Sequence, residues 1–347
     1  MKYLITFIIL AALLVAPASA LELSPPPVPE SGEALMPERA ETFGQGLMEL
    51  LRDGIGVFLP NLAEAIRLCT SVCVTVLLLS VVENISDGAK VPCQVAGVAA
   101  ITGILLRDTT SLIRLGVDAV TEMGEYGKLL LPVMTTALAA QGGIRSSTTL
   151  YAGTTVFTGL LSAAIVSVLI PLIYFYLILS AANATVGESV LKKIRDFIKW
   201  LMTWSLKIIL YVFTGYMGIT GVISGTTDAA AMKATKLTIS GMVPVVGGIL
   251  SDASEAVLVS AGVVKNAAGI YGIFAVLAIC LGPFLQIGAH YLILKITAGI
   301  CELIGPKRAA DLVNDISGAM GMVLAMTGSV CLMLLISIVC FLKGVQV

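Results

Sequence analysis

Charge is what this 347-residue chain has least of: Asp, Glu, Lys and Arg make up 12% of it, about half the share in ordinary soluble domains. So little charge cannot clothe a water-exposed surface of this size. Histidine occurs once, as His290, which excludes a multi-histidine metal centre. The sequence holds no Gly-x-x-x-x-Gly-Lys-Ser/Thr phosphate loop, no His-Glu-x-x-His and no Gly-x-Ser-x-Gly, so neither nucleotide hydrolysis nor the common hydrolase chemistries have residues to carry them. No catalytic residue, cofactor or metal ligand is expected. Seven cysteines lie almost entirely within apolar runs. Cys69 and Cys73 stand i, i+4, but no third and fourth ligand is spaced for zinc, and the cysteines read as buried thiols. A net charge of −1 offers no basic surface for nucleic acid.

What is present is apolar: 57% of residues, with a mean hydropathy of +0.99. The expectation is an all-α polytopic membrane protein. Residues 1–20 combine Lys2, an apolar stretch too short to span, and Ala18-Ser19-Ala20, which suits cleavage after Ala20. Residues 21–41 follow as a Pro/Glu-rich exported tether, with Pro25, Pro26, Pro27, Pro29 and Pro37 favouring an extended chain. Over 42–59, Phe43, Leu47, Leu50, Leu51 and Phe58 recur at helical spacing and predict an amphipathic interfacial helix.

Residues 60–347 form the polytopic domain, with spans at about 62–82, 91–106, 151–180, 201–223, 266–296 and 316–342. Cleavage places the mature N-terminus outside, so directions alternate from an inward first span. Lys192, Lys193, Arg195 and Lys199 follow the third span, and Lys295, Lys307 and Arg308 follow the fifth. Both clusters then lie in the cytoplasm, as the positive-inside rule requires. Residues 190–201 are amphipathic and read as a cytoplasmic interfacial helix, bound to anionic lipid or docking a cytosolic partner. Lys192, Lys193, Arg195, Lys199, Lys307 and Arg308 are the candidate docking residues.

The chain also looks duplicated. Ile101-Thr102-Gly103 matches Ile219-Thr220-Gly221, Pro132 and Pro171 match Pro244 and Pro283 at the same spacing of 39, and Tyr176-Leu177-Ile178-Leu179 recurs as Tyr291-Leu292-Ile293-Leu294, 115 positions later. Two tandem pseudo-repeats, about 91–200 and 201–315, would enter the membrane in parallel. Two apolar pieces, 129–140 and 239–250, are too short to cross, and each carries its unit's first repeated proline. They are expected as re-entrant or interfacial segments, with Pro132, Gly241, Pro244, Gly247, Gly248, Ser251 and Asp252 as candidate pore residues.

The spans at 91–106, 151–180 and 316–342 contain no ionisable residue, which disfavours an ion-coupled carrier. Small residues recur in the spans instead, Gly215, Gly218, Gly221 and Gly225 along the fourth and Gly318, Gly321, Ala325 and Gly328 along the sixth. Such faces suit close packing, including assembly with a partner or a second copy.

The run Ser224-Gly225-Thr226-Thr227-Asp228-Ala229-Ala230-Ala231-Met232-Lys233, continued by Ile239-Ser240-Gly241-Met242-Val243-Pro244-Val245-Val246-Gly247-Gly248 and Leu250-Ser251-Asp252-Ala253, resembles the stage III sporulation protein AE family of endospore formers. The resemblance implies a multi-pass protein of the mother-cell membrane around the forespore. It further implies a non-enzymatic subunit of a channel-like or secretion-like complex, with the other stage III A proteins and the forespore stage II protein Q as partners. Two other functions fit the sequence: a secondary transporter or permease for a small metabolite, and a membrane scaffold that recruits other subunits.

Overall fold

The structure, a computed structural model, describes residues 24–37, 42–85, 90–242 and 247–343, with the side chains of all but 84–91 and 221–261. The expected signal peptide lies outside these residues. Every element among them is helical: α1 (Glu30–Glu33), α2 (Phe43–Ile85), α3 (Lys90–Ala140), α4 (Ile144–Ala164), α5 (Ile170–Val186), α6 (Ser189–Met242), α7 (Gly247–Ile304) and α8 (Lys307–Lys343). Six stretches are long and apolar enough to cross a membrane: Phe43–Glu83, Pro92–Ala140, Ile144–Val186, Ser189–Thr220, Gly262–Ile304 and Lys307–Lys343. Among the described residues this is the expected all-α polytopic fold with about six helices able to span.

The turns between helices follow from glycine. At the end of α3, Gly142 takes φ 90°, and the N–H groups of Gly142 and Gly143 return to the carbonyls of Ala139 and Leu138. This is a Schellman closure that only a residue at ease in the left-handed region makes without strain. Gly187, at φ 79°, ends α5 by donating to Asn183 at 2.8 Å. Between α4 and α5 the chain widens into a π-helical turn, Ile165–Leu169. Pro171 sits at the start of α5 and cannot donate to a carbonyl one turn back, so the ladder there must loosen.

Three close approaches fix the register of the core. A Cβ on Gly116 of α3 would meet Val323 of α8 at 2.4 Å and Ile287 of α7 at 3.5 Å. One on Gly127 would meet Leu334 at 2.8 Å, and one on Gly272 of α7 would meet Leu130 at 2.6 Å. Thus α3 runs parallel to α8 and antiparallel to α7, and these three helices form the centre of the bundle. Small residues here bring backbones together where lipid supplies no apolar driving force.

Several sequence-derived boundaries are corrected. Residues 42–59 are not a separate interfacial helix but the first turns of α2, and 190–201 are likewise the first turns of α6. Residues 129–140 are not a broken stub: α3 passes through Pro132 without interruption. The segment after Ser24 does not stand off as a tether. Leu35 is buried with Leu50, Phe274 and Ala278, and Gly32 lies against Ile279. Enough apolar contact is available there to hold a proline-rich strand down. The duplicated tetrapeptides occupy matching places near the ends of α5 and α7. Each is followed by a glycine turn and then by a basic pair that opens α6 or α8.

Candidate functional site

The apolar segment 91–106 of α3 lies against the apolar run of α2, where a Cβ on Gly97 would meet Leu79 at 2.5 Å. The contacts of Gly116, Gly127 and Leu130 set residues 107–130 beside the charge-free stretch of α8 and the apolar middle of α7. That part of α3 carries Arg107, Asp108, Arg114, Asp118, Glu122, Glu125 and Lys128. Its buried face is Leu112, Ile113, Val120 and Met123. The exposed face reads Arg107, Ser111, Arg114, Asp118, Thr121, Glu125 and Lys128, and Pro132 and Thr136 continue it. At 1.5 Å per residue the charged stripe is roughly 30 Å long, the thickness of a bilayer's hydrocarbon core.

Its side chains have few ionic partners. Asp108 lies 3.6 Å from His290 of α7, and Ser31 of α1 donates to Glu122. Among the described residues no ion pair is made by Arg107, Arg114, Asp118, Glu125 or Lys128. Each would cost about 2.5–3.5 kcal/mol against lipid at mid-depth. For the two or three nearest mid-depth that is roughly 5–10 kcal/mol, comparable with a whole protein's stability of about 5–15 kcal/mol. The stripe therefore faces water or other polar groups. A cavity of ≈ 590 Å³ between α2, α3 and α7 is lined by Ser31, Arg52, Asp53, Leu115 and Gln286, and reaches α3 at Leu115 rather than at the stripe itself. The charges of the stripe lie on α3 beyond the sequence-derived span 91–106, which itself holds none. Pro132 lies on the stripe's face as an exposed residue.

Of the basic residues, Lys192, Lys193, Lys199 and Lys307 are exposed. Arg308 donates to the Thr185 carbonyl at 3.2 Å and packs on Gly187, joining the α7–α8 turn to the α5–α6 turn. Arg195 does not belong with the docking residues. It is 7% exposed, donates to Asp315 of α8, and holds Asp196 at 2.9 Å. Tyr176 donates to the other oxygen of Asp315 at 3.4 Å. The group is a buried ionic lock between α5, α6 and α8.

Gly241 closes α6, and Gly247, Gly248, Ser251 and Asp252 open α7. Pro244 lies outside the described residues, as do the side chains of the other five. His290 is buried, with Nδ1 2.9 Å from the Gln286 carbonyl. All seven cysteines are unpaired, and among the described residues no cluster of His, Cys, Asp or Glu is arranged to hold a metal.

The sequence did carry a signal for the stripe. Arg107, Arg114, Asp118, Glu125 and Lys128 follow at intervals of seven, four, seven and three, the period of one helix face. A search for uninterrupted apolar runs passes over it.

Residues 39–344 match the family described as stage III sporulation protein AE. The chain is similar to the stage III sporulation protein AE of Bacillus subtilis (strain 168), at 22% identity over 278 residues, covering 80% of this chain and 69% of that protein. No solved structure matches the chain.

Proposed function

The chain belongs to the stage III sporulation protein AE family, and from that premise we propose that it is a non-enzymatic subunit of the transenvelope complex joining mother cell and forespore. It forms or lines the conduit in the mother-cell membrane, with its N-terminus on the outer side and the Gly187 and Gly305 turns in the cytoplasm. Its partners are the other stage III A proteins and the forespore stage II protein Q. The observation that supports this reading is the stripe of α3, a mixed-charge face on the helix that packs on the charge-free stretch of α8, which needs a wet path beside it.

A second reading draws on the same residues. Ionisable groups near mid-depth are what a coupled permease uses, so a small-metabolite carrier regains support. In a scaffold that only recruits partners, the stripe would face a partner's polar groups rather than water. In an endospore former lacking its own copy, Asp118→Leu with Glu125→Leu is expected to block sporulation while the complex still assembles. Replacing Gly247 and Gly248 with leucine is expected to do the same. Solute flux by the protein alone in proteoliposomes, abolished by the Asp118 and Glu125 changes, would favour the permease. Normal sporulation with both pairs of substitutions would defeat the conduit.

A further inference from the structure

A second cavity lies on the far side of α8, and its chemistry differs. A groove of ≈ 370 Å³ opens between α6 and α7, lined by Lys199 and Lys207 of α6 and by Tyr291 and Lys295 of α7, with Gly318 and Gly321 of α8 in its floor. All three lysines are exposed, and none makes an ion pair among the described residues. Lys295 donates to Asn314 at 2.6 Å. Lys199 stands over Gly318, 3.4 Å from where a Cβ would be.

The depth of the groove is marked by aromatics. Phe197, Trp200 and Trp204 form an exposed ladder on α6, with ring centroids 5.9 and 6.1 Å apart. Tryptophan in such a row sits at the lipid–water boundary. Lys199 is within this belt. Lys207 lies about 12 Å further along the helix and reaches back toward the boundary by its own stem. The groove thus begins at headgroup level and descends over glycine into the apolar zone, where Leu210 and Met322 line it. Three cations at the mouth and a narrow apolar slot beneath match a phosphate with an acyl chain below it.

We propose that this groove is a binding site for an anionic phospholipid of the leaflet at the Gly187 and Gly305 end, its phosphate held by Lys199, Lys207 and Lys295 and one acyl chain lying over Gly318 and Gly321. Basic pockets between spanning helices take such headgroups. The site stands independently of the role in sporulation.

The test uses the chain's own two tryptophans, both on α6 beside the groove. The full chain is reconstituted in phosphatidylcholine bilayers, and quenching by brominated phosphatidylglycerol is compared with quenching by brominated phosphatidylcholine. A preference of at least about five-fold for the anionic lipid is expected, from the attraction of three lysines near the surface. K199Q/K207Q/K295Q should reduce it to about one-fold, and the arginine triple should retain it. K192Q/K193Q/K307Q removes the same charge from the same end outside the groove and should leave it intact. Equal quenching by both lipids in the unaltered chain would overturn the proposal, because the three lysines would then select no headgroup. So would loss of the preference in the second glutamine triple, since general surface charge would then account for it.

Discussion

Replacing Asp118 and Glu125 with leucine separates a lipid-facing stripe from a wet one. Both residues lie on the exposed face of α3, level with the charge-free stretch of α8 that Gly116 and Gly127 touch. If the stripe faced hydrocarbon, each carboxylate would cost about 2.5–3.5 kcal/mol, and removing both would stabilise the protein by about 5–7 kcal/mol. Facing water, the same change is a surface substitution worth less than about 1 kcal/mol. The two cases are far enough apart for a denaturant titration of the detergent-solubilised protein followed by circular dichroism. Thiol labelling gives an independent reading. In a cysteine-free background, Asp118→Cys and Glu125→Cys should react with a membrane-impermeant maleimide. Val212→Cys should not, because Val212 is 55% exposed on the apolar face of α6. A gain of 5 kcal/mol or more in the double leucine variant, with position 118 as unreactive as 212, would refute the wet path.

Other substitutions test the packing. Asp315→Ala leaves the Arg195 guanidinium buried with only Asp196, and should cost about 3 kcal/mol, the low end for a broken buried pair. Arg195→Met with Asp315→Leu should recover most of that in the same titration, and failure to recover would mean the pair is stabilising in itself. Gly116→Leu and Gly127→Leu must each displace a neighbouring side chain and should cost about 1–3 kcal/mol or more. Gly215→Leu points into open space and should change stability by less than about 0.5 kcal/mol. Equal losses at all three would mean that the contacts at Gly116 and Gly127 do not set the effect. Gly187→Ala forces a left-handed residue against Arg308 and should lower stability by roughly 1 kcal/mol, an effect that Arg308→Ala should reduce in a double-mutant cycle.

The number of spans was legible because long apolar runs leave little freedom in lipid. The basic openings of α6 and α8, with Gly187 and Gly305 before them, were legible for the same reason. The position of α3 was not. Its most apolar window, 91–106, is not the part seated against Val323 and Leu334 of α8. That choice is made by Val323, Leu334 and Ile287 pressing on two glycines, and such pairings are invisible in one strand of sequence. Arg195 was misread for a similar reason. On a helical wheel it joins Lys192 and Lys199, whereas its partner Asp315 is 120 positions away. The proline-rich segment seemed unable to pack because composition does not reveal that Leu50 and Phe274 leave a seat for Leu35.

The placement of α3 bears on how the protein is made. A segment with seven ionisable residues between Arg107 and Lys128 will not partition into lipid by itself when it emerges from the ribosome. The faces that receive it, on α7 and α8, are synthesised long afterwards. Newly made α3 must therefore wait for its main seat, and a chain truncated before α7 leaves the Gly116 and Gly127 face of α3 uncovered. Biogenesis of this bundle is completed from its C-terminal end.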